Sequence, residues 1–491
     1  MVSLVPPILF LLAVGQVIAI SPGHQMRLTK KGLNYAGTVA KADLTEGLRL
    51  LQIPNQSGSS GLISWSVSNI QSRFVNVPTS IINITPGQDG LTWSLSSIRI
   101  DLMANWIAEY HKGWVNMPYS GSVDIDVQPI SISVTIGIGE DQASRPSIST
   151  QGCSANIGSV IITFIGGTPI IWNLFKATLE NNVRNILRTQ ICTVVINKIN
   201  VNGEAALAKM KVSVEIDPFL LDYSLLEPVN FTADYLQSFH RGEVYWNDDK
   251  RESPFSPGLI PALSDVSNML YLWLTEYTAN TFAYTAQQHG FLRYNLTQKD
   301  LPPGTLNTSC SLPTKCIGSF IPQLPNLYPN SSVEIRINSS QTPQFTVATS
   351  GLSLMMFADL TLYAHTPNGS TPYLLTFNMS LYLTGEVSVA NDKVVGYITS
   401  YSIKIGVIKS AIGDVSGTAL TYILNVALET FVIPKFNEMA QAGFELPLSG
   451  DIKLKDSKLT LLNNVLLIST DLQYKTLDED SLMFIPEIQV S

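Results

Sequence analysis

Charge is scarce in this chain: Asp, Glu, Lys and Arg make up only 14% of its 491 residues, and the acidic excess leaves a net charge of -8. A nucleic-acid partner needs a basic surface that neutralises phosphates, so composition argues against that class. The five histidines, His24, His111, His240, His289 and His365, stand singly, without the helical or short-loop spacing of a zinc site. No Gly-x-Ser-x-Gly turn offers a hydrolase nucleophile. Gly137-Ile-Gly139 follows a strand pattern but lacks the third glycine and the helix of a dinucleotide site. Phosphate and calcium loops are also missing. Beyond the first twenty residues no apolar run is long enough to span a bilayer, and the nearest, Leu374 to Leu383, is broken by Thr, Asn and Ser at strand-like intervals. The expectation is a chain that is not an enzyme, holds no metal and does not cross a membrane.

What is present begins with a leader. Residues 8 to 20 form a short apolar run, with Val17 and Ala19 small enough for a cleavage site, so residues 1–19 are expected to be a signal peptide and the product secreted. Four cysteines then read as two disulfides, for which sequence allows three pairings. Cys310 with Cys316 would close a small loop at Pro313; Cys153 with Cys192 would tie a strand to a helix. Sequons at Asn55, Asn83, Asn230, Asn295, Asn307, Asn330, Asn338, Asn368 and Asn378 fit a secreted glycoprotein.

At this length two domains are the natural division. A helix is expected over about Arg27 to Leu51, with Leu33, Ala36, Ala40, Leu44, Leu48 and Leu51 on one stripe and Pro54 behind it. Short strands follow from Leu62 to Ile138. Val123, Ile125 and Val127 alternate with Asp124 and Asp126, and a second alternation runs from Ile130 to Ile138 after Pro129, the pattern of a twisted antiparallel sheet buried on one side. A second helix after Pro169 carries Trp172, Phe175, Leu179, Val183, Ile186 and Leu187 on one face, and a strand at 211–216 closes this half. The segment 217–258, with prolines at 218, 228, 254 and 257, reads as a linker. The plan then repeats: a helix from about Ser264 to Gln288, strands from Gly318 to Ile408, a helix from about Gly417 to Ala442, and final strands to Tyr474. The expected modules are 20–217 and 259–475, with 218–258 between them as linker and central sheet and a solvated tail at 476–491.

Five motifs in this order carry a resemblance: Ser21-Pro-Gly-His-Gln-Met-Arg-Leu-Thr-Lys-Lys-Gly-Leu-Asn-Tyr35, Pro254-Phe-Ser-Pro257, Pro434-Lys-Phe-Asn-Glu438, Gly443-Phe-Glu-Leu-Pro447 and Thr470-Asp-Leu-Gln-Tyr474. Over its whole mature length the chain resembles the bactericidal permeability-increasing protein family, whose relatives include lipopolysaccharide-binding, cholesteryl-ester transfer and phospholipid transfer proteins. The resemblance implies an α+β fold: an elongated boomerang of two similar modules, each a highly twisted antiparallel β-barrel with two long helices, joined by a central β-sheet. It implies that the Pro-Gly turn opens a long helix along a lipid groove. Cys153–Cys192 would be the family's shared disulfide, with Cys310–Cys316 outside that pattern. No cofactor is implied beyond bound lipid as ligand. The implied partners are phospholipid or related lipids, and membrane, micelle or lipoprotein surfaces. The expected product is a secreted monomer that sequesters or transfers lipid. The alternative is an innate-immune antibacterial protein that binds lipopolysaccharide.

Lipid is expected to lie beside Leu28, Leu33, Tyr35, Ala36 and Ala40 with Phe175, Leu179 and Val183 in the first module. In the second it is expected beside Met269, Leu270, Trp273, Tyr277 and Phe282 with Leu424, Leu428 and Phe431. The same stripes would equally build an ordinary core. The tip segment Met103 to Tyr119 departs from the lysine-rich tip of the bactericidal relatives: Lys112 is its only lysine and Glu109 offsets it. Trp106, Tyr110, Trp114 and Tyr119 make it aromatic instead, which suits the headgroup boundary of a membrane, although some of these rings would serve hairpin packing.

Overall fold

The computed structural model describes residues 21–85, 90–112, 114–311, 315–446 and 452–474. The expected signal peptide, the expected tail at 476–491 and Pro313 lie outside them. The first strand, β1 (His24–Thr29), leads straight into α1 (Lys30–Arg49), whose N-cap Thr29 hydroxyl accepts from Gly32 N. The helix therefore starts later than the Arg27 expected from its apolar stripe. The Pro-Gly motif opens a strand, not the helix: Gly23 N donates to Arg241 O at 3.1 Å and Gly23 O accepts from Thr275 N at 3.1 Å.

Alternation builds the first lobe. Strands β2 (Gln56–Ser60), β3 (Ile63–Asn76), β4 (Thr79–Thr85), β5 (Gly90–Lys112), β6 (Val115–Glu140) and β7 (Pro146–Ile165) form an antiparallel sheet in the order β2-β3-β5-β6-β7, with β4 also on β5. Val123, Ile125 and Val127 point inward, while Asp126 turns outward and pairs with Arg99 at 3.1 Å. Around Pro129 the β5–β6 register shifts, opposite Ile98 to Ile100. That irregularity moves the buried set from odd to even positions, Ile130, Ile132, Val134 and Ile136. After the short α2 (Pro169–Trp172), helix α3 (Lys176–Asn197) buries Leu179, Val183, Leu187, Ile191 and Val195 against the sheet and continues through a wider π turn, Lys198–Gly203, into α4 (Glu204–Ala208). Cys153 on β7 is bonded to Cys192 on α3.

The segment expected as linker and central sheet contributes strands to two sheets. β8 (Ser213–Ile216), β9 (Phe219–Asp222) and β12 (Glu243–Trp246) form a small sheet, and β10 (Asn230–Phe231) and β11 (Tyr235–His240) join a larger one. That larger sheet is central, in the order β10-β11-β1-β13-β21-β20, where β13 is Leu270–Thr275 and the last two strands are β20 (Ile452–Leu462) and β21 (Val465–Tyr474). It brings together strands from both ends of the described chain and from its middle. The helix expected from about Ser264 is thus β13 followed by a shorter helix, α5 (Tyr277–Gln288). All six β13 residues are buried, and a strand covered on both faces gives an unbroken apolar run that periodicity cannot separate from a buried helix.

The second lobe starts with β14 (Arg293–Leu296), the short helices α6 (Ile317–Phe320) and α7 (Gln323–Leu327), and four long strands: β15 (Ser332–Ala348), β16 (Gly351–His365), β17 (Tyr373–Ala390) and β18 (Lys393–Ser410). The strands expected from Gly318 therefore begin at Ser332. Helix α8 (Gly417–Ala427) passes through a π turn, Leu428–Val432, into α9 (Ile433–Ala442), which is followed by β19 (Phe444–Glu445) on the free edge of β18. Asn280 on α5 holds β15, its amide bonded to both Phe345 N and Phe345 O. The result is an elongated, two-lobed architecture with a central sheet and flanking helices.

Candidate functional site

The two lobes cover their inward faces to different degrees. In the first, Leu33, Phe175, Leu179 and Val183 meet in one buried core with the sheet, and Leu28, half-buried, lies at its border. Tyr35 turns toward the central sheet, where its hydroxyl accepts from Tyr474 N at 2.9 Å. Ala36 and Ala40 lie on the flank of the Leu33–Leu44 stripe at 3.6 residues per turn, and both are exposed. Gly37 brings α1 close to the sheet: a Cβ there would lie 3.0 Å from Ile82 Cδ1.

In the second lobe the end nearer α6 is solid, with Leu360, Leu362, Leu375, Phe377, Leu420 and Leu424 packed together. The far end is not. Cross-strand pairing puts Leu354 and Met356 of β16 and Tyr401 and Ile403 of β18 on the same face as buried Leu381 and Leu383 of β17, yet all four are only half-buried. The cover over them is the π turn with Val432 and Ile433, both half-buried, and buried Leu428. Beyond it α9 buries none of its residues, and Met439 is 63% exposed. The arrangement is an apolar trough with a partial lid. Its rim is polar: Tyr401 donates to Glu429 at 2.7 Å and Ile398 N to the Asn437 side chain at 2.8 Å. Burial, reinforced by the bond to Glu429, pushes the Tyr401 hydroxyl up to about 12, so it stays a neutral donor at any physiological pH.

The eight residues expected to line this lobe do not come together. Leu270 and Trp273 sit in separate buried clusters of the central sheet, because their segment is a strand rather than one face of a helix. Met269 precedes that strand, and its carbonyl accepts from Thr29 N at 3.0 Å. Tyr277 and Phe282 lie on α5, where Phe282 packs on Phe219 with ring centroids 4.4 Å apart. Leu424 belongs to the solid end, Phe431 packs beside it near Tyr294, and Leu428 is at the trough. The trough residues on β16 to β18 were missed from sequence. Their period-2 alternation is that of any half-buried sheet, and only the helix laid over them shows which end lacks cover.

The expected aromatic tip resolves into unequal parts. Trp106 is fully buried, edge-on to Phe164 at 5.6 Å, and its indole Nε1 donates to Ile165 O at 3.3 Å. This corrects the expectation that it docks on a membrane: on β5 it falls in the inward phase with Ala104 and Ala108. Tyr110 and Tyr119 are half-buried against the same core. Trp114, in the β5–β6 turn, is 96% exposed beside exposed Lys112 and Met117. Of the sequon asparagines all are exposed except Asn307, which is half-buried. Cys310 and Cys316 are bonded to each other.

Where the first lobe meets the central sheet, a cavity of about 20 Å³ is lined by His24, Met26, Tyr223, His240, Leu272 and Leu274. That is room for about one water and far too little for an acyl chain. His24 is buried, with Nε2 bonded to the Thr278 hydroxyl at 2.7 Å and Nδ1 unpaired; desolvation, with His240 nearby, lowers its pKa to about 3. Among the described residues no group of three His, Cys, Asp or Glu side chains is placed to hold a metal, and no helix is long and apolar enough to cross a membrane.

Two family descriptions match successive parts of this chain: the N-terminal domain of the LBP / BPI / CETP family over residues 32–210 and its C-terminal domain over 215–474. The chain belongs to the LBP / BPI / CETP family. Within the family it is 28% identical over 463 residues to the bactericidal permeability-increasing protein of Sebastes schlegelii, spanning 93% of this chain and 96% of that one. It is 25% identical over 472 residues to the human lipopolysaccharide-binding protein, spanning 95% and 96%. A crystal structure of lipopolysaccharide binding protein superposes with a TM-score of 0.66 at 23% identity, covering 93% of this chain and all of that one, which establishes the shared fold.

Proposed function

We propose that this LBP / BPI / CETP family member is a secreted lipid carrier that shelters hydrocarbon tails in the trough between the Leu428–Ala442 segment and strands β16 to β18. The observation that carries the reading is the incomplete cover of an inward apolar face in a lobe whose other end is fully packed. A lipid site is concave, mostly apolar and edged by a few polar groups, as this trough is. In this reading each lobe's sheet closes as a barrel, the lobes correspond to modules 20–217 and 259–475, and the chain works as a monomer. In the first lobe, where Leu33, Phe175, Leu179 and Val183 are taken up by the core, the reading keeps only a lesser site on the exposed Ala36–Ala40 flank of α1.

Exposing acyl chains to water costs about 0.8 kcal/mol per methylene, so a two-chain lipid exchanges while the protein touches a membrane, micelle or lipoprotein surface. Trp114 is the side chain that reaches that surface. The second reading, binding of lipopolysaccharide, follows the names of the relatives; the net charge and the single lysine at the tip weigh against recognition through a cationic end. Mass spectrometry of lipid extracted from the native protein tests the proposal. Phospholipid at up to two molecules per chain is the expected result, and a lipid-free protein that takes up none from vesicles would overturn it.

A further inference from the structure

The outer face of the second lobe carries a polar row in the middle of a sheet, where Asn and Asp are ordinarily depleted. Register pairs Arg293 with Asn338, Asn338 with Asp359, Asp359 with Asn378, and Asn378 with Gly406, so these side chains cross β14 to β18 on one face. Asn295 lies on the same face two residues along from Arg293. Its neighbours inward, Leu296, Leu360 and Phe377, are buried, whereas Asn295, Asn338 and Asn378 are all exposed. All three are sequon asparagines, separated by many residues in sequence and brought together only by the fold.

Two local features give these positions room. A Cβ at Gly406 would lie 2.6 Å from Asn378 Oδ1, so glycine opposite is what makes space for the Asn378 amide on this face. Beside Asn338 an open polar cleft of about 240 Å³ is lined by Gln287, Gln288, Gly290, Leu292, Arg293 and Ser339. At ~30 Å³ per water that is space for several waters, which a sugar ring displaces while keeping their hydrogen bonds.

We propose that this face is covered by N-linked glycans at Asn295, Asn338 and Asn378, and that the first sugar on Asn338 seats in the Gln287–Ser339 cleft. The coat makes the outer wall of the second lobe unavailable to a lipid surface and leaves the α8–α9 side, where the trough opens, as the side of approach. The inference rests on secretion of the chain, as proposed above.

The test uses the full chain secreted from glycosylating animal cells. Glycopeptide mass spectrometry reads occupancy at each sequon, and peptide N-glycanase acting on the folded protein reads access. Occupancy at all three sites is expected. Release from Asn338 should be about tenfold slower than from Asn368 in the exposed β16–β17 turn, equivalent to ~1.4 kcal/mol of seating. Denaturation should abolish the difference, and the double variant Gln288→Ala with Arg293→Ala should abolish it in the folded protein without lowering occupancy. Glycans elsewhere but none at these three positions, or equal native release from Asn338 and Asn368, would overturn this inference and leave the lipid reading untouched. Bare asparagine at every sequon in the secreted chain would likewise overturn it, whereas failure of the chain to leave the cells would overturn the secreted reading on which it rests.

Discussion

Replacing Trp106 and Trp114 separately should divide two roles that the sequence places side by side. Trp106 is fully buried, packed between Phe164 and Phe175 with its N–H bonded to Ile165 O. The fit is close: a Cβ at Gly167 would lie 2.6 Å from the indole ring. An aromatic side chain of this size buries about 200 Å², worth ~5 kcal/mol at ~25 cal/mol per Å². Incomplete collapse around an alanine leaves an expected loss of about 3–5 kcal/mol for Trp106→Ala, read from urea unfolding followed by fluorescence of the remaining tryptophans. Trp114 is 96% exposed, so Trp114→Ala should move stability by no more than ~0.5 kcal/mol. Its effect belongs in vesicle flotation: if about 100 Å² of indole leaves water on docking, up to ~2.5 kcal/mol is lost, roughly a 70-fold weaker affinity. Two results would refute the reasoning: a Trp106→Ala protein as stable as the parent, or vesicle binding that Trp114→Ala leaves unchanged.

The remaining predictions concern covalent and ionic ties. Removing the Cys153–Cys192 bond, which closes a loop of separation 39, should lower stability by ~4 kcal/mol in the chain-entropy account, against ~2 kcal/mol for Cys310–Cys316 at separation 6; calorimetry of the two double-alanine variants ranks them, and the reverse order contradicts the account. His24 is held neutral with its pKa lowered to about 3, so the unfolded chain takes up a proton near pH 6.5 that the folded chain refuses. Stability should be fully present above about pH 6.5 and fall by up to ~1.4 kcal/mol per unit below it, with His240, also lowered by burial, adding in the same direction. The Tm of the parent should drop between pH 6.5 and 5 and that of His24→Gln should drop less; equal slopes would remove His24 as the cause. Gly23→Ala should strongly destabilise the central sheet, since a Cβ there would lie 2.1 Å from Arg241 O, and a Tm within a degree of the parent would show that β1 yields freely.

Much of the fold was legible because period and punctuation carry it. The alternation of Val123, Ile125 and Val127, its change of phase at Pro129, the stripe from Leu179 to Leu187 and the helical segment from Gly417 to Ala442 stand in the structure where the sequence puts them. Leu270 to Thr275 did not read correctly, since a strand covered on both faces has no alternation to show. In the segment expected as linker and central sheet, Tyr235–His240 joins the central sheet, while prolines punctuate further short strands, such as Phe219–Asp222 after Pro218, whose pairing with Glu243–Trp246 no local pattern announces. At the candidate site Leu428 was legible from the helix stripe, but Leu354, Met356 and Ile403 were not. Whether an inward face is covered depends on where a helix some twenty-five or more residues away comes to rest, and no local pattern encodes that.

The most direct measurement is uptake of a phospholipid carrying a fluorescent acyl chain by the parent protein and by Ile403→Glu, whose carboxylate would project into the half-covered end of the trough. A charge there can remain hydrated when the trough is empty but opposes hydrocarbon, so the account predicts a normally folded variant that takes up much less lipid than the parent. A folded Ile403→Glu protein that fills as fully as the parent would contradict it.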